Sequence, residues 1–124
     1  MSKLSHKHPI DAAGVDRAHA AGLGAAEAER LGVLLALLSD QTRLRILFVL
    51  VSVEELCVGD LALALDISMD QSSYALKQLR SAGLVQTRRA GRVVHYRLAD
   101  GFPRQLLEHC LRELLTISER EARS

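Results

Sequence analysis

Apolar residues first adopt a steady helical period after Ala25. Leu31, Leu34, Leu35 and Leu38 recur one turn apart, and Glu27 and Glu29 stand ahead of most of them, where acids favour a helix N-terminus. The pattern predicts a long helix ending near Ser39. Asp40 suits the N-cap of a second helix, in which Leu44, Ile46, Leu47, Phe48 and Val51 make an apolar face too wide for a surface helix. That helix is expected at the centre of the core. Leu56 to Leu65 reads as a short apolar helix, interrupted by Asp66-Ile67-Ser68 before a further helix from Met69 to Ala82. Ser68 can cap this helix and Gly83 can close it at the C′ position, so the pair reads as a helix-turn-helix.

The period then changes. Leu84–Thr87 and Arg92–Leu98 alternate, the second run carries β-branched residues and Tyr96, and Ala90-Gly91 supplies a turn between them. This predicts a two-stranded wing. A last amphipathic helix starts at Asp100 or Gly101, carries Pro103 in its first turn, and runs through Ile117 with Leu106, Leu107, Leu111, Leu114 and Leu115 on one face. On so short a chain, that oily face calls for a partner chain. Residues 1–22 lack a steady apolar period and read as a mobile arm, with room for a short helix. Residues 23–118 form the folded domain and 119–124 a flexible tail. The expected fold is mainly α with a β-hairpin wing, a homodimeric winged helix-turn-helix.

Composition narrows the functional classes. The chain has 124 residues, enough for one core, and its hydrophobic residues make up 48% against 3% aromatic, which favours a helical core of Leu, Val, Ala and Ile. Lys and Arg number 16 against 15 acids, so an anionic partner must be met by a local patch rather than by a basic tail. Such a patch exists between Cys57 and Leu98, where Lys77, Arg80, Arg88, Arg89, Arg92 and Arg97 face only Asp60, Asp66 and Asp70. Two cysteines, no secretory leader pattern and no long apolar run point to a reduced, cytoplasmic protein that does not enter a membrane. No nucleophile elbow, phosphate-binding loop, HExxH or catalytic carboxylate pair occurs, which argues against an enzyme.

The candidate chemistry is DNA recognition. Gln71, Ser73, Tyr74, Lys77 and Gln78 occupy the polar face of the second helix of the helix-turn-helix, where side chains can meet base edges in a major groove. Arg88, Arg89 and Arg92 flank the wing turn, where long cations can reach phosphates; taken alone, such a turn is as readily a solvated loop. Cys57 and Asp60 raise a second question. Three residues apart, they could reach one metal ion across a helical turn, or the thiol could simply pack in the core while the acid serves a helix N-terminus.

The runs LLSDQTRLRILFVL, ELCVGDLALAL and QSSYALKQLRSAGLVQTRRAGRVVHYRLAD resemble the ArsR/SmtB family of metal-sensing transcriptional repressors from about Ala25 to Leu115. The resemblance implies a winged-helix homodimer, joined through its first and last helices, that binds an inverted-repeat operator and leaves it when an inducer binds. Tyr74 stands where relatives often carry histidine, which bears on base preference. The resemblance also implies a metal site built from Cys57, Asp60 and arm ligands of the other subunit, here His6, His8 or His19. Gly59 occupies the position of a second cysteine, and the arm has no cysteine. One thiolate, one carboxylate and imidazoles make a borderline donor set suited to Zn(II), with Co(II) or Ni(II) next and Cd(II) or Pb(II) less favoured.

A second family site, on the last helix, is not expected to function: Asp100 is present, but Phe102 replaces a histidine, and Glu113 and Thr116 hold the next two positions. His109 and Glu113 lie one turn apart beside Cys110 and read as ordinary polar-face residues, with Cys110 at an interface. The competing functional reading is a repressor of the same type that senses oxidants or reactive sulfur species through Cys57 and Cys110 instead of metal.

Overall fold

In the computed structural model, which describes residues 7–123, the chain divides into two units, residues 1–33 and 34–124. The first unit contains α1 (Ala12–Ala21), a short helix within the expected arm. Asp11 starts it, its carboxylate accepting the Gly14 N–H at 2.9 Å. The boundary between the units falls within α2 (Ala25–Leu38).

The second unit is built around α3 (Gln41–Ser52), on which Ile46, Leu47 and Leu50 are fully buried. Asp40 caps α3 by accepting the Arg43 N–H at 3.0 Å, as its position before an apolar run predicts. Against α3 pack α4 (Val58–Leu65) and α5 (Met69–Ser81), which contribute Leu61, Leu65, Ala75, Leu76 and Leu79 to the same core. The break between them is made by Asp66, which adopts a left-handed conformation (φ +54°), a conformation that aspartate tolerates better than most residues. Ser68 then starts α5 with a reciprocal capping box: its hydroxyl accepts the Gln71 N–H, and Gln71 Oε1 accepts the Ser68 N–H, each at 3.0 Å. Gly83 (φ +78°) ends the helix, and Leu84 N–H reaches back to the Leu79 carbonyl.

The sheet differs from the expected hairpin in two ways. It has three strands in the order β1 (Leu56–Cys57), β3 (Val93–Leu98), β2 (Val85–Ala90). Leu56 and Cys57, expected at the start of a helix, instead form an edge strand paired antiparallel to Tyr96 and His95. The hairpin is also longer and tighter than expected. Ala90 pairs with Val93, so the turn is Gly91-Arg92, with Gly91 at φ +63°, and Arg88 and Arg89 lie on β2 rather than in a loop.

The last helix begins at Arg104, after a turn through Asp100 and Gly101 (φ +79°), and not at Asp100 or Gly101 as expected. It opens with a π-helical stretch, Leu106–Leu111, and continues as α6 (Arg112–Arg123), beyond the expected end at Ile117. Leu107 is fully buried, whereas Leu114, Leu115 and Ile117 stand largely exposed. No helix among the described residues is long and apolar enough to cross a membrane.

Candidate nucleic-acid interface and metal-ligating residues

The helix-turn-helix is fastened from within. Ser72, fully buried on α5, donates its hydroxyl to the Val58 carbonyl on α4 at 3.1 Å. Arg45 Nη2 donates to the Leu65 carbonyl at 2.8 Å, satisfying the end of α4. The first bond ties α5 to α4 and the second ties α4 to α3, and α5 leaves Ser73, Tyr74 and Lys77 exposed.

Two of the expected base-reading residues have other partners. Gln71 is engaged in the capping box, its carbonyl turned to its own helix start. Gln78 is half-buried, and its Oε1 accepts a hydrogen bond from Arg43 Nη1 at 2.6 Å. Arg43 Nε meanwhile donates to the Leu37 carbonyl at 2.7 Å, so one guanidinium ties the end of α2 to the face of α5. The Gln78 amide nitrogen keeps no protein partner among the described residues. Sequence reasoning misses Arg43, because nothing in the linear pattern marks a side chain that bridges positions 35 residues apart.

The wing arginines also separate. Because side chains alternate along a strand, Arg88 and Arg89 leave opposite faces of the sheet. Val85, Leu98, Leu56 and Tyr96 mark the core-facing side. Cys57, His95 and Arg88 are cross-strand neighbours in one register row and share the other side. There Arg88 Nε lies 3.2 and 3.3 Å from the two oxygens of Glu55, and its Nη2 forms an ion pair with the same carboxylate. The guanidinium holds the Glu55 carboxyl below the ordinary glutamate range, and the carboxylate in turn raises the Arg88 pKa. Arg97 pairs with Asp100 at 3.6 Å. Among the described residues, Lys77, Arg89 and Arg92 have no acidic partner and are exposed.

Cys57 is half-buried at the N-cap of α4, where its thiol makes no capping bond. Its register places it on the sheet face opposite Leu56, which packs on the core, so the pleat does not aim the sulfur at the core. Asp60 is exposed in the first turn of the same helix. Among the described residues no three His, Cys, Asp or Glu side chains gather into a metal-holding group, so Cys57 and Asp60 do not belong to a formed site there. His8 and His19 are exposed in the first unit, His19 in the last turn of α1, and His6 lies outside the described residues. Cys110 is exposed on the π-helical stretch with His109, on a different element from Cys57, and both thiols are free.

A capped helix-turn-helix followed directly by a cation-bearing hairpin is the winged-helix arrangement found in DNA-binding regulators. Residues 40–87 match the model of the bacterial regulatory proteins of the arsR family. The arsenical resistance operon repressor of Escherichia coli (strain K12) is 46% identical over 70 residues, which cover 56% of this chain and 60% of that protein. The transcriptional repressor SmtB homolog of Synechocystis sp. is 43% identical over 74 residues, covering 60% of this chain and 55% of that protein. The chain thus spans little more than half the length of these curated relatives. Among solved structures, the AntR antimony-specific transcriptional repressor superposes with a TM-score of 0.67 at 32% identity, covering 92% of this chain and 97% of that one. The chain belongs to the arsR family.

Proposed function

We propose that this protein is a transcriptional repressor that binds an inverted-repeat operator as a homodimer and leaves it when a divalent metal ion, Zn(II) first, binds at Cys57 and Asp60. The observation that carries the DNA-binding part is the exposed, capped α5, with Ser73, Tyr74 and Lys77 outward, followed by a wing on which Arg89 and Arg92 have no acidic partner among the described residues. Ser73, Tyr74 and the Gln78 amide are the base-facing groups; Lys77, Arg89 and Arg92 meet phosphates.

The metal part rests on placement. Cys57 and Asp60 share the start of α4, and a thiolate and a carboxylate there leave room for imidazoles from His6, His8 or His19 of the other subunit. Cys57 pairs with His95 on β3, the central strand of the wing sheet, so a metal that pulls on the thiol acts on the DNA-binding hairpin without an intermediate element. A differential affinity of about 1–3 kcal/mol between the DNA-bound and free poses is sufficient for a switch.

Cobalt substitution tests this reading. A Co(II)–thiolate charge-transfer band should form in the unmodified protein, persist in Cys110→Ser and vanish in Cys57→Ser, while Cys57→Ser still binds operator and no longer responds to metal. A band lost only in Cys110→Ser would move the metal to the last helix.

A further inference from the structure

We propose that Glu55 is a positioning residue that holds Arg88 off the DNA, leaving the wing's phosphate contacts to Arg89 and Arg92. The proposal deepens the DNA-binding reading of the wing and rests on it.

The geometry is that of a strap across a sheet. Glu55 directly precedes β1 and lies on the Cys57 side of the pleat, while Arg88 projects from β2 on that same side; the central strand β3 runs between them. The guanidinium meets both carboxylate oxygens through two of its nitrogens, the fork-like arrangement in which arginine is most strongly oriented. Glu55 is the more sheltered partner: its side chain is 25% exposed, against 53% for Arg88, and Arg88 is the chief group that acts on it, with His95 and Arg97 nearby. To reach a phosphate, Arg88 would leave this carboxylate among two other basic groups and swing round from the sheet face opposite Arg89. Arg89 and Arg92 face no such competition among the described residues. An ion pair of this exposure adds little to folding stability. Its effect is to fix where one cation points.

Salt dependence measures this directly, because each phosphate neutralised by the protein steepens the fall of log affinity with log salt by about 0.9. The probe is a mixed-sequence DNA duplex, titrated with the full chain at several salt concentrations. Arg88→Ala should leave the slope of the unmodified chain unchanged, whereas Arg89→Ala and Arg92→Ala should each flatten it by about 0.9 per wing, about 1.8 for the homodimer. Glu55→Gln, which keeps the shape of the side chain and removes its charge, should steepen the slope by about 0.9 per wing, about 1.8 for the homodimer and equivalent to an extra loss of about twelvefold between ~50 and ~200 mM salt. That change should be absent from Glu55→Gln made together with Arg88→Ala. If Arg88→Ala flattens the slope as the other two do, Arg88 already contacts phosphate and the proposal is overturned. It is equally overturned if Glu55→Gln leaves the slope unchanged, or if its effect persists without Arg88 and so reflects net charge alone. Failure of the unmodified chain to bind any duplex at low salt would instead remove the DNA-binding reading, and this proposal with it.

Discussion

At the scale of single residues, the side chains that look free in the sequence divide into those that face outward and those that hold the fold. Glu55 and Arg88 give a measurable instance. Pairing lowers the Glu55 pKa from the ordinary 4.5, so the pair's contribution is complete above that value and is lost as pH falls through the lowered one. The strap is therefore insensitive to pH around neutrality. Carboxyl-carbon NMR of Glu55 should titrate below 4.5 in the unmodified chain and return toward 4.5 in Arg88→Ala; identical midpoints in the two would disprove the pairing. Gln78 gives a second. Its carbonyl is fixed by Arg43, so Gln78→Ala should both blur base preference and destabilise the fold by about 1 kcal/mol, by leaving a part-buried donor without its acceptor. Denaturant unfolding and binding to operator variants measure the two effects separately. Gln71 looks equivalent to Gln78 in the sequence, yet the signal that separates them is present there: Ser68 followed three residues later by glutamine is the capping-box spacing. No comparable signal exists for Arg43 or Glu55, whose partners lie 35 and 33 residues away.

Among the elements, long periodic segments are legible in the sequence and short ones are not. α2, α3 and α5 lie close to where the apolar spacing, Asp40, Ser68 and Gly83 put them, because each is governed by a local cap and a repeating face. β1 is invisible: two residues have no period, and ELCVGDLALAL reads as one apolar helix until β3 offers Leu56 and Cys57 a hydrogen-bonding edge. That edge changes the reading of Cys57, because a strand residue beside the core-packed Leu56 faces the other way, whereas a residue in a buried helix start could face the core. Likewise Arg88 can be told from Arg89 only once both lie on a strand. The helix-turn-helix depends on its break as much as on its helices. Ser68→Ala removes the hydroxyl that accepts the Gln71 N–H and keeps the bond from the residue-68 N–H to Gln71 Oε1, so it should cost about 1 kcal/mol, seen as a lower urea midpoint at constant m. Because the same cap sets the start of α5, the variant should also bind duplex more weakly. Unchanged stability would mean that the packing of Ser72, Ala75, Leu76 and Leu79 alone holds the helix.

For the whole molecule, the core closes without using the end of the chain. Leu107 completes it, yet α6 continues to Arg123 with Leu114 and Leu115 each 60% exposed and Ile117 at 53%. Beside them, Leu35, Leu38, Leu44, Phe48 and Leu111 line an open apolar groove of about 390 Å³. Arg112 lies over the Phe48 ring at 4.9 Å, so the groove's floor is firmly placed. An apolar face of this kind on a chain with a single small core fits a two-fold interface, in which α6 of each copy meets the groove region of the other. In such a dimer the two recognition helices are related by the same axis, which is the basis of the proposed inverted-repeat operator. The unmodified protein should sediment as a dimer at micromolar concentration, free of metal and DNA. Leu115→Glu introduces a charge into that face without touching the core, so it should yield a monomer that keeps its helical circular dichroism. It should bind a single half-site about as the parent subunit does, and lose the additional affinity for two half-sites one helical turn apart. A parent chain that sediments as a monomer, or a Leu115→Glu variant that remains a dimer, would show that the exposed leucines serve some other contact.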